Sequence, residues 1–210
     1  MKLEREAIIE AAIALLDEVG LDGLSMRRLA KDLDVQAPAL YWHFKNKQEL
    51  LDHMLVAMGT EELRVPRAGQ AWDDWLVERT RILYQGLNKH RDGARLAART
   101  RPTEDLYPRL EAMLDVLAGA GFTPQEALRG LLAISSYVTG SALEREGARG
   151  RVADAELAEL APGGMPDLSQ YPNLTAAAEA APDPDAIFEY GLRAIVAGLR
   201  AELEQRQRQR

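Results

Sequence analysis

Five basic side chains, Arg27, Arg28, Lys31, Lys45 and Lys47, fall between Ser25 and Lys47 against only Asp32 and Asp34. That stretch is net +3, while the rest of the chain, with 21 basic and 31 acidic residues, is net −10. A basic spot on an acidic body orients a molecule on a phosphate backbone and repels wrong approaches. Among these charges stand Tyr41, Trp42 and His43. An indole turned outward beside them is costly to leave in water unless something binds there. Other chemistry is sparse. The histidines are His43, His53 and His90, there is no cysteine, and no glycine-rich loop could cradle a phosphate. His90-Arg91-Asp92 is similar to a kinase catalytic loop, but the strands that loop needs are missing, so the chain is not expected to be an enzyme. Without cysteine, disulfide scaffolds and thiolate metal or redox chemistry are excluded, which fits a reducing compartment.

The 210 residues, 47% apolar and 28% charged, suffice for a real core. The longest uncharged run, Gly130 to Leu143, has 14 residues, too few to cross a bilayer. Near Lys2, Glu4, Arg5 and Glu6 no apolar signal core appears. A soluble cytoplasmic protein is therefore expected.

The spacing predicts helices throughout. Ile8, Ala12, Leu15 and Val19 make one that ends at Gly20 in a left-handed cap. Ser25 caps a short one over Leu29, Ala30 and Leu33. Gln36-Ala37-Pro38 opens another, with Pro38 tolerated in a first turn that has spare N–H groups. Asn46 and Glu49 form a capping box for a fourth helix, taken to about residue 62, with Leu50, Leu51, Met54, Leu55 and Met58 along its apolar face. Residues 64–69 read as a linker. Helices follow from Trp72 to Leu87 and from about Leu106 to Gly119 or Gly121, with His90-Arg91-Asp92-Gly93 as a turn. Thr123-Pro124-Gln125-Glu126 starts a helix to about Glu146, apolar nearly all round in its middle and hence covered on every side. A loop is expected over 147–171, with room for a turn or two of helix over Ala153 to Ala161, then a last helix over 184–204 and a frayed tail over 205–210. No segment alternates long enough to be a strand. The fold class is all-α, with a small N-terminal unit of short helices over residues 1–62 and a larger helical remainder over 63–210.

With Leu40 at zero on the helical wheel, Phe44 and Gln36 lie about 40° to either side and Trp42 about 200° away. Leu40 and Phe44 face the core, and Trp42 faces out with Pro38 and Ala39 near it. Two short helices so arranged have the dimensions of a helix-turn-helix. The competing reading is a helical interaction module without DNA binding, in which Tyr41 and Trp42 are core aromatics.

Gly23-Leu24-Ser25-Met26-Arg27-Arg28-Leu29-Ala30 and Pro38-Ala39-Leu40-Tyr41-Trp42-His43-Phe44-Lys45-Asn46-Lys47 resemble the DNA-binding unit of the tetracycline-repressor (TetR) family of regulators. His90-Arg91-Asp92-Gly93-Ala94-Arg95 and Thr100-Arg101-Pro102-Thr103-Glu104 are similar to the tetracycline repressor's own branch. The resemblance implies a three-helix helix-turn-helix DNA-binding domain for residues 1–62 and a ligand-binding and dimerisation domain for 63–210. It implies a homodimeric, ligand-responsive regulator, most often a repressor, released from palindromic operator DNA by a small-molecule inducer. It implies a DNA-binding set of Ser25, Arg27, Arg28, Gln36, Ala37, Pro38, Ala39, Tyr41, Trp42, His43 and Lys47. In that set Arg27 forks onto a base edge, while Ser25, Tyr41, His43 and Lys47 hold phosphates. Dimerisation is implied through helices 124–146 and 184–204, where Gly191, Ala194, Ala197 and Gly198 permit close approach. An inducer site is implied around Arg79, Leu83, His90, Ala97, Thr100, Arg101, Pro102, Leu110, Met113, Leu128, Leu131 and Glu144.

The departures alter the expected chemistry. Ala37 and Ala39 stand where the tetracycline repressor has Gln and Thr, and Ala can read only methyl groups. Ala97 replaces the family's magnesium-binding histidine, and Arg79 replaces the amide that orients the drug. A methyl cannot ligate Mg²⁺ and a guanidinium repels it. No metal or cofactor is expected, and the ligand is expected to differ: an anionic or carboxylate-bearing aromatic compound that Arg79 or Arg101 can pair with.

Overall fold

The computed structural model describes residues 4–59, 65–101, 104–157, 169–178 and 183–209, and those residues contain helices and no strand. Helix α1 spans Arg5–Gly23 and buries Ile8, Ala12, Leu15 and Leu16. Gly20 does not end it. With φ 71° and ψ 172° it kinks the helix, which resumes to Gly23. α2, Met26–Asp32, is capped as expected, the Ser25 hydroxyl accepting from the Arg28 N–H at 3.2 Å. A turn through Asp34, in left-handed conformation at φ 53°, leads to α3, Ala37–Tyr41.

α4, Lys47–Met58, starts under Asn46, whose side-chain oxygen accepts from the Glu49 N–H at 2.9 Å. The reciprocal half of the capping box is displaced by one residue, because the buried Glu49 carboxylate accepts from the Lys45 N–H at 2.7 Å and from Arg5 at 3.1 Å. The expected extension of this helix past Gly59 lies mostly outside the described residues.

The larger unit contains α5 (Trp72–Lys89), α6 (Gly93–Arg99), a 3-10 turn (Glu104–Leu106), α7 (Tyr107–Ala120), α8 (Pro124–Leu157), α9 (Pro172–Ala178) and α10 (Pro184–Gln209). α7 ends at Gly121 in the left-handed region, the amides of Gly121 and Phe122 bonding back to Ala118 and Leu117. The capping box of α8 is complete: Thr123 Oγ1 accepts from the Glu126 N–H, and the Glu126 carboxylate accepts from the Thr123 N–H at 2.8 Å. Three expectations are corrected here. α8 continues to Leu157 rather than ending near Glu146, since 147–157 holds three Ala and two Arg with Glu156 and Leu157, good helix formers that outweigh two glycines. α9 lies beyond the expected loop and was not foreseen. The tail over 205–209 is helical, because Arg206 donates to the Gly121 carbonyl at 3.1 Å and pairs with Glu126.

The cores of the two units meet at α1, α4 and α6. Trp75 and Phe188 are fully buried in the larger one, and Tyr84 stacks on Phe188 at 3.7 Å between centroids. α8 is not covered on every side within one protomer. Leu128, Leu132 and Leu143 on α8, with Ile187 and Tyr190 on α10, stand exposed, Tyr190 at 75%. A bare apolar stripe along two long helices is a surface for a second copy.

Candidate DNA-reading surface and effector pocket

The reading surface follows from one helical turn. Leu40 and Phe44 are both fully buried, anchored by an edge contact of Phe44 with His53 and by the Arg5 guanidinium 4.7 Å over the Phe44 ring. That fixes the opposite side outward, and Trp42 is 89% and Tyr41 51% exposed. Gln36 and Pro38 are exposed beside them, with Ala37, Ala39 and His43 half-buried. Arg27 is exposed and makes no hydrogen bond or ion pair to any described residue. Arg28 lies 3.7 Å from Glu18. Ser25 and Lys47 are engaged within the protein, Ser25 as the α2 cap and Lys47 donating to the Leu24 carbonyl at 2.5 Å. Their expected phosphate contacts therefore come from groups that also fix the reader's shape.

The unit is fastened to the body at Gly20 and α6. The Asp92 carboxylate accepts from the Leu21 N–H at 2.7 Å and from Arg95 at 2.9 Å. Arg95 also reaches Asp22 at 2.9 Å, and the Asp17 carboxylate accepts from the Arg91 N–H at 2.9 Å and meets His90 Nδ1 at 2.8 Å. A side chain at Gly20 would put its Cβ 2.7 Å from the Asp92 carboxylate. Burial would raise the Asp92 carboxyl, but the Leu21 amide and Arg95 outweigh it and hold it below the usual range. Beside it, burial and the Asp92 charge push the Glu146 carboxyl up.

Between α4, α5, α6, α7 and α8 lies a cavity of about 240 Å³. Of the expected inducer set, Arg79, Leu83, Ala97, Thr100, Arg101, Leu110 and Met113 line it. The others do not line it in the single protomer. His90 sits at the α1 junction on Asp17. Leu128 shares a face of α8 with the lining residue Ser135 but lies about 10 Å further along the axis, exposed. Leu131 is half-buried against the core. Glu144 is about 180° around α8 from Ser135 and lines a different cleft with Tyr137, Ile187 and Phe188. Pro102 lies outside the described residues.

The sequence reading missed Asp52, Leu55, Val56, Arg109, Ser135 and Thr139 in the wall. Asp52 carried a signal, a lone carboxylate among the apolar residues of α4. It is buried, and Oδ1 accepts from Gln48 at 2.8 Å and from the Arg101 N–H at 3.2 Å. Gln48 also donates to the Arg99 carbonyl at 3.2 Å, so α4 and the end of α6 are stitched together at the pocket wall. Burial pushes the Arg79 and Arg109 guanidiniums below their ordinary value. No group of three or more His, Asp or Glu side chains suited to a metal ion occurs among the described residues.

A helix-turn-helix with its apolar reading face bare, riding on a helical body that holds a small-molecule cavity and a bare two-helix stripe, defines a ligand-responsive transcriptional regulator. Residues 8–54 match the bacterial regulatory proteins of the tetR family, and residues 65–203 match the tetracyclin repressor-like C-terminal domain. The chain belongs to the TetR family. It is 42% identical over 202 residues to the class A tetracycline repressor from transposon 1721 of Escherichia coli, covering 94% of this chain and 91% of that protein. It superposes with a TM-score of 0.65 on a class A TetR in complex with 5a,6-anhydrotetracycline and magnesium, 36% identical over 95% of this chain and 99% of the other. With Streptomyces coelicolor ActR in complex with actinorhodin the TM-score is 0.72, at 33% identity over 97% of this chain and 99% of that one. These relatives are transcriptional regulators, and the chain is a ligand-responsive repressor that binds operator DNA and works as a dimer. No helix of the described residues is long and apolar enough to cross a membrane.

Proposed function

We propose that the cavity bounded by α4 to α8 is the effector site, and that filling it releases the protein from operator DNA by moving α4 against α6. The observation that carries this is the Gln48–Asp52 stitch. The α4 helix that walls the cavity with Asp52, Leu55 and Val56 is the one whose first turn is fastened to the reader through Lys47 and Glu49. A displacement of the Arg99–Arg101 segment by a ligand is felt by Gln48 and Asp52 directly. Two reading helices in a dimer dock productively only one duplex turn apart, about 34–36 Å. A ligand that prefers the wrongly spaced state lowers DNA affinity by its differential affinity and no more.

In this reading Arg27 forks onto a base, Trp42 and Pro38 give apolar surface to a thymine methyl or sugar, and Tyr41 and His43 hold phosphates. The protein acts in the cytoplasm and performs no catalysis. Selection from a random DNA pool by the full-length dimer should return a palindrome, and Arg27→Ala should flatten its base preference. Compounds that release this DNA are then tested on Met113→Trp, which fills the cavity. Retained DNA binding with release lost is the expected outcome. Equal release from parent and Met113→Trp would place the effector elsewhere.

A further inference from the structure

We infer that the effector is a metal-free organic anion, a carboxylate on a body of two or three fused rings, seated against the Arg79 guanidinium. The inference rests on the cavity being the effector site. Arg79 lines the cavity, partial burial strips water from its charge and lowers its pKa from the ordinary value, and its side chain makes no ion pair or hydrogen bond to any described residue. A half-buried cation with no counter-ion among the described residues is costly, and a ligand carboxylate that forks onto the guanidinium relieves that cost on binding. Arg101 and Arg109 line the same space, so among the described lining residues three guanidiniums stand against one carboxylate, Asp52. The field inside the cavity therefore favours negative charge.

The magnesium chelate seen with the class A relative does not fit this donor set. Residue 97 offers a methyl, Thr100 Oγ1 donates to the Ala97 carbonyl at 3.0 Å, and three guanidiniums line the cavity, which a dication would have to enter against their charge. Size adds a second restriction. A volume of about 240 Å³ lies below the usual range for drug-sized ligands, and Leu83, Leu110 and Met113 supply apolar walls for a flat body.

The test is calorimetric titration of the full-length dimer with anthraquinone-2-carboxylate and with the isosteric anthraquinone-2-carboxamide, each in magnesium and in EDTA. The carboxylate should bind about tenfold tighter than the amide or better, regardless of magnesium. Arg79→Met should reduce that preference to about twofold or less, and Arg79→Lys, which keeps the charge, should retain part of it. Removing the buried charge should also raise the melting temperature of the ligand-free Arg79→Met protein, which shows that it folds. Equal binding of acid and amide, a requirement for magnesium, an undiminished preference in Arg79→Met, or binding of neither probe each overturns the inference. Met113→Trp separates the two ideas. If it leaves carboxylate binding intact, the cavity assignment fails, whereas binding lost there with acid and amide alike in the parent sinks only the anion.

Discussion

Gly20→Ala tests the joint between reader and body most sharply. At φ 71° and ψ 172° the residue occupies a backbone region essentially confined to glycine, so any side chain there costs about 1–3 kcal/mol. The new Cβ would lie 2.7 Å from the Asp92 carboxylate and 3.2 Å from the Arg91 guanidinium. Relieving the clash means withdrawing Asp92 from the Leu21 amide, a hydrogen bond to a charged group worth about 1.5–3 kcal/mol. Together these cost about 2.5–6 kcal/mol, or about 5–24 °C in melting temperature for a chain of this length. Scanning calorimetry at fixed protein concentration reads the shift, and fluorescence anisotropy with labelled operator reads the DNA affinity. Gly119→Ala is the control, a helical position where a methyl meets open space, and it should be neutral or mildly stabilising. If Gly20→Ala melts within a degree of the parent and binds DNA equally, the joint is not the rigid contact described.

Other outcomes are as specific. Trp42→Ala should leave the melting temperature within a degree, since the indole is 89% exposed. It should weaken DNA binding about ten- to twentyfold per half-site, because covering about a third of an indole's ~200 Å² at about 25 cal/mol per Å² gives about 1.7 kcal/mol per subunit. Unfolding of Glu146→Gln and parent should be compared across pH. A carboxyl held above its ordinary 4.5 contributes stability that is present below that value and lost as pH rises through the folded one. The variant should therefore gain on the parent as pH rises from about 4.5 through the raised folded value, and a constant difference would show that burial and Asp92 do not act on Glu146. Thr123→Ala removes one side of a complete capping box and should cost about 1 kcal/mol in urea unfolding.

Local chemistry made much of the fold legible. Ser25, Asn46, Thr123 and Gly121 are end signals that act on their own neighbours, and the structure places each where its helix begins or stops. The wheel around Leu40 foretold which aromatics would be bare, because a single helical turn sets that geometry. α6 was invisible for the complementary reason. It has seven residues and begins after a left-handed Asp92 whose side chain caps nothing in its own helix but reaches across to Leu21. The pocket was half legible. Resemblance brought out Arg79, Ala97, Thr100 and Met113, but Asp52, Arg109 and Ser135 become wall residues only when α4, α7 and α8 converge. Glu144, implied by the same resemblance, lines a different cleft of the protomer, because a position matched along the chain does not say which side of a long helix the residue occupies.

The bare stripe of Leu128, Leu132, Ile187 and Tyr190 ties the molecule's endurance to its own abundance. A lone subunit leaves that greasy strip facing water, so pairing and survival share one equilibrium. Every tenfold dilution then removes about 1.4 kcal/mol from the apparent resistance to unfolding. Scarce copies of such a regulator vanish from the operator twice over, through fewer dimers and through faster loss of the singles left behind.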